Sequence, residues 1–78
     1  MADNDVVVLD VREIPPWERH PKIFDTFDNL ESGQAIQLIN DHDPRPLHYE
    51  FMHEREGQFE WDSEEKSPRE WVATITKL

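Results

Sequence analysis

The sequence predicts an α/β (α+β) two-layer sandwich of βαβαββ order, two helices lying on one face of a four-stranded mixed sheet. Three observations predict it. A β-branched run, Val6-Val7-Val8-Leu9-Asp10-Val11, opens the pattern, and two segments whose apolar residues recur at helical spacing follow. Two stretches alternating with period two close it, Gln58–Asp62 and Trp71–Thr76. Two short helices can cover only one face of such a sheet, which makes the architecture two-layered.

Each element has a local cause. Val6–Val11 is bounded by charge and reads as a strand buried on both faces. In Ile14–Pro21 three prolines withhold backbone donors, which predicts a loop. From Pro21 onward Ile23, Phe24, Phe27 and Leu30 recur at helical spacing, so a helix of about ten residues is expected, ended by Ser32-Gly33. Ala35–Ile39 forms the second strand, ending near Asn40. Asn40–Pro46 is dense in turn formers; within it Asp43 is placed as an N-cap with Pro44 at the first helical position. The second helix then carries Leu47, Phe51 and Met52 inward, has Arg55 in its last turn and stops at Gly57. Ser63–Arg69 is expected to be the turn of an antiparallel hairpin, with Trp61 and Trp71 on facing strands in the core.

Composition narrows the function. At 78 residues, a chain buries only about 60% of the surface its unfolded form exposes, enough for a single domain over residues 1–78. Only 36% of residues are hydrophobic, yet four Phe, three Trp and one Tyr concentrate buried area in few side chains. There is no cysteine, so the chain has no disulfide, thiolate nucleophile or persulfide of its own. No apolar run approaches the roughly 20 residues of a membrane span, and the acidic start is unlike a signal peptide, so a cytoplasmic protein is expected. A formal net charge of −10 without any basic cluster repels phosphate backbones and anionic lipid, which argues against nucleic acid and membrane partners. Halophilic proteins use surfaces of this kind as well.

The chemistry-bearing residues gather in two connections. If the first two strands are parallel neighbours, Trp17, Arg19 and His20 come beside Asp41, His42, Asp43 and Arg45, next to two helix N-termini. Arg19, Arg45 and backbone amides suit a small anionic ligand, while His20 and His42 with Asp41 or Asp43 suit a divalent metal. Spacing does not select between them. Each residue has a plainer role as well: Asp43 can cap a helix, Asp41 can close a turn, His20 can cap the first helix, and Arg19 and Arg45 can pair with nearby carboxylates. His48 and His53 lie roughly 140° apart around a helix and make a poor chelating pair. No catalytic triad or glycine-rich phosphate loop is present, so no catalytic residue is assigned. The expected role is that of an accessory domain binding another protein or a small anion; a metal-binding or redox-associated enzyme component is the alternative.

Leu9-Asp10-Val11-Arg12, Glu18-Arg19-His20-Pro21, Asn40-Asp41-His42-Asp43-Pro44-Arg45-Pro46-Leu47 and Gln58-Phe59-Glu60-Trp61 together resemble the uncharacterised domain of unknown function 2249 family over nearly the whole chain. That family in turn resembles the TusA and SirA sulfur carriers, which implies the same βαβαββ sandwich. In those carriers a Cys-Pro-x-Pro motif opens the first helix, and its thiol position falls near Pro16 here, so sulfur transfer by this chain's own cysteine is excluded. The resemblance also implies an accessory role near hemerythrin-like and redox proteins.

Overall fold

The computed structural model describes residues 6–78. The element order is β1 (Val6–Asp10), α1 (Pro16–Asp28), β2 (Ala35–Asn40), α2 (Arg45–Glu54), β3 (Phe59–Ser67) and β4 (Glu70–Lys77). The four strands form one mixed sheet in the order β1-β2-β4-β3. β1 runs parallel to β2, with Val6 beside Ala35, while β4 is antiparallel to both β2 and β3. The α+β class and element order agree with the sequence expectation.

Both helices lie on one face, and the core sits between them and the sheet. α1 contributes Ile23 and Phe27, α2 Leu47 and Phe51, and the sheet Ile36, Leu38, Ala73 and Ile75. Phe51 is the hub. Its ring stacks on Phe24 at 4.4 Å and meets Phe27 edge-on at 5.2 Å and Phe59 at 5.3 Å. Gly33 and Gly57 sit in the turns after the two helices with φ of +91° and +76°, a left-handed conformation that is cheap only at glycine; α1 itself ends at Asp28, with Asn29 as its C-cap at φ −87°, short of the expected stop at Ser32-Gly33. Polar clamps hold the far ends: Arg55 grips Asp28 through two bonds of 2.9 and 2.7 Å, and Lys77 donates to the carbonyls of Asp28 and Leu30 beyond α1.

Several local expectations are corrected. β1 is the edge of the sheet and largely exposed, not buried on both faces, because no helix covers its outer side. α1 begins five residues before Pro21, at Pro16. Proline at the first helical position gives up a donor that has no intrahelical partner, and Pro15, itself followed by proline, takes the extended ψ of 142° that starts the helix. Pro21 then lies inside the helix, where it forfeits only the bond to the carbonyl of Trp17, a residue in the open first turn. The N-cap of α2 is Pro44, while Asp43 instead accepts the Arg45 backbone N–H at 3.0 Å. Met52 is half-exposed rather than inward.

The hairpin is longer than expected. β3 and β4 pair from Phe59 to Ser67 across a turn at Pro68-Arg69, with a bulge between Glu65 and Ser67. Ser63–Ser67 is exposed throughout, so ladder bonds hold this part and no hydrophobic period announces it. Trp61 pairs with Ile75 and Trp71 with Glu65, so the two indoles do not face one another. Trp61 packs on the core, its ring parallel to His48 at 4.4 Å. Burial lowers the His48 pKa.

Truncating Phe51 to Ala removes the hub of the aromatic cluster and is expected to cost about 3–5 kcal/mol. Met52→Ala should stay within about 0.5 kcal/mol. Urea unfolding followed by tryptophan fluorescence compares them; similar midpoints for both variants would contradict the packing described.

Candidate functional site

The parallel pairing of β1 and β2 delivers both strands' C-terminal ends to one side of the sheet, and the start of α1 passes over that edge. Arg19 is the first member of the buried column Arg19, Ile23, Phe27, spaced at one turn along α1. A guanidinium at a core-facing position must have its donors satisfied, and this one does. Its Nε donates to the Ile14 carbonyl at 2.8 Å and its Nη2 to the Arg12 carbonyl at 3.2 Å. Nη1 donates to Asn40 Oδ1 at 3.2 Å and Asp41 Oδ1 at 3.1 Å. The β1–α1 connection and the end of β2 are thereby tied through one side chain.

The residues adjoining this clamp are imidazoles, each oriented by a carboxylate. His42 Nδ1 lies 2.8 Å from Asp41 Oδ1, and His20 Nδ1 lies 2.6 Å from Glu50 Oε1 on α2. Among the described residues neither Nε2 has a protein hydrogen-bond partner. Both imidazoles line one cavity of about 350 Å³ together with Pro16, Arg19, Asn40 and Asp41. The hydrogen bond from His42, then that from Arg19, draws the Asp41 pKa down from 3.8 to about 2.

Of the residues expected from the sequence, Arg19, His20, Asp41 and His42 meet at this cavity. Trp17 is 76% exposed and does not line it. Asp43 and Arg45 also lie outside its lining and chelate one another at 2.8–3.0 Å. The groups that suit a small anion therefore have protein partners. Arg19 is fully engaged by protein oxygens, Arg45 by Asp43, and prolines at 15, 16, 44 and 46 remove donors from the first turns of both helices. The metal set His20, His42, Asp41 and Asp43 does not assemble either. Among the described residues no three His, Asp or Glu side chains are grouped to hold an ion, since Asp41 is turned to Arg19 and Asp43 to Arg45. Sequence reasoning missed Asn40, Pro16 and Glu50. Glu50 adjoins Phe51 on the inward side of α2, but only the tertiary fold reveals that it reaches His20.

Residues 8–77 match the profile of a family described as Uncharacterized conserved protein (DUF2249). No curated protein and no solved structure matches the chain. No helix among the described residues is long and apolar enough to cross a membrane.

The depressed pKa of Asp41 fixes the sign of a pH effect. A carboxyl more acidic in the folded than in the unfolded chain adds stability above its unfolded pKa, and that contribution disappears as pH falls through the folded value. Wild type should therefore be more stable than Asp41→Asn at neutral pH, with the gap in urea midpoints closing between about pH 4 and pH 2. A gap unchanged over that range would contradict the contacts given to Asp41.

Proposed function

The chain belongs to the DUF2249 family, and from that premise we propose that it works as a small binding domain, without catalysis of its own, whose ligand is held at the cavity between His20 and His42. The observation that carries the reading is the pair of carboxylate-oriented imidazoles. Each Nδ1 faces a carboxylate, which favours the tautomer with a lone pair on Nε2, and both rings border the same space. Two acceptors backed by Glu50 and Asp41, on a chain of net charge −10, suit a small ligand bearing hydrogen-bond donors, such as an ammonium, amide or guanidinium group, better than an anion.

The resemblance to the sulfur carriers adds to this reading. It sets their thiol near Pro16, the residue that opens α1 and borders the cavity. On this view the domain keeps the position of the carriers' functional edge and replaces thiol chemistry with imidazole recognition. A partner protein carrying the thiol is compatible with it.

A second reading, a divalent ion, is favoured by the same carboxylate–imidazole pairs, because metal-bound histidines usually donate their other ring N–H to a carboxylate. The ion would be completed by water or by the ligand.

The test is long-range ¹⁵N NMR of the imidazoles of the full chain, titrated separately with alkylammonium, guanidinium, acetate and zinc. Ammonium or guanidinium should shift Nε2 of His20 and His42 together, and His42→Ala should abolish the response at His20 as well. Response to zinc alone would favour the ion; response to acetate alone, or no coupled response, would overturn the proposed binding site.

A further inference from the structure

The sheet face turned away from the helices has its own pattern. Register places Val6, Val8 and Asp10 of β1 in one column, Ala35, Gln37 and Ile39 of β2 beside them, then Thr76, Thr74 and Val72 of β4, and finally Glu60, Asp62 and Glu64 of β3. One edge is apolar up to Asp10, which Arg12 pairs, and the opposite edge is entirely acidic. No Lys or Arg occupies any of these positions. Val6 is 52% and Val8 61% exposed, although the outer face of a sheet covered on one side is ordinarily polar. At the other edge Glu64 pairs with Lys66, but Glu60 and Asp62 have no ion pair among the described residues. Beside them a cavity of about 500 Å³ opens between Glu60, Trp61, Asp62, Thr74 and Thr76.

We propose that this open face docks a basic amphipathic helix of a partner protein, its apolar side on Val6, Val8, Ile39 and Val72 and its Lys or Arg side chains reaching Glu60 and Asp62. Charge complementarity selects the occupant. A second copy brings the same net charge of −10 and no cationic column, and anionic lipid or nucleic acid would be repelled by the β3 edge. Geometry selects a helix. The outer columns stand about 14 Å apart, three strand spacings, and a helix about 10 Å across lying along the strands spans that gap with lysine stems. Ala35, Thr74 and Thr76 give it a low seat. The same contact covers the face of β1 that its apolar sequence marks for burial, converting two layers into three.

The probe is a synthetic 14-residue helix with leucine on one side and lysine on the other, titrated into the ¹⁵N-labelled full chain. Amide shifts are expected to concentrate at Val8, Gln37, Thr74 and Asp62. The double variant Glu60→Lys/Asp62→Lys should weaken binding at least about tenfold, while Glu54→Lys/Glu56→Lys, the same change in net charge at the end of α2, should stay within about twofold. All four positions are exposed, and circular dichroism confirms that each variant is folded. Equal weakening by both variants would mean attraction to bulk charge and overturn the proposal. So would shifts confined to the helical face, equal binding of a leucine–glutamate peptide, or sedimentation showing that a second copy of the chain occupies the face.

Discussion

A guanidinium almost wholly removed from water holds together the edge where the β1–α1 connection meets the end of β2. Arg19 occupies the first place in the column that α1 buries, where an unpaired charge would cost several kcal/mol. Carbonyls of Arg12 and Ile14 on one side, and the side chains of Asn40 and Asp41 on the other, accept its donors. Rotating α1 about its axis would withdraw the fork from all four, so the helix has one phase. His20 and His42 follow Arg19 and Asp41 directly in sequence, and their positions are set by the same clamp. His42 is exposed and His20 half-buried; what orders their rings is the rigidity one residue away and the carboxylates at Nδ1.

The topology was legible because it rests on periodicity. Ile23 and Phe27 announce α1, the alternation of Ala73 and Ile75 announces β4, and Gly33 and Gly57 mark the turns that follow the helices. The convergence of the two connections followed from parallel pairing, a rule of chain geometry. Errors arose where a residue has two readings. Prolines 15, 16 and 21 suggested a loop, yet a helix start tolerates proline and the buried contacts of Arg19 and Ile23 carry the helix past Pro21. The outer half of β3 was illegible because its strand is written in backbone hydrogen bonds, with side chains from Ser63 to Ser67 all facing water.

At the candidate site, the sequence leaves two readings open for each residue, and the contacts show the plainer one for Arg19, Asp43 and Arg45. Arg19 looked like a ligand for an anion and is an internal brace. Asp43 and Arg45 looked like part of a constellation and satisfy each other. In so acidic a chain several of the cations are taken up internally: Arg12 by Asp10, Arg45 by Asp43 and Arg55 by Asp28. Exposed pairs of this kind add little stability, but they leave the guanidinium groups poorly placed to meet an anion.

One consequence of β1 lying at the border of the sheet concerns colloidal behaviour. Its outward-pointing backbone donors and acceptors are a template for another strand, and Val6–Leu9 carries no charge, proline or bulge to blunt that border. What keeps neighbouring molecules apart is mutual repulsion between highly anionic bodies, acting over a Debye length of about 8 Å at physiological ionic strength. Concentrated electrolyte or mild acid weakens that barrier while the fold is still intact. Storage conditions that would calm many proteins are therefore those under which this one is most disposed to coalesce.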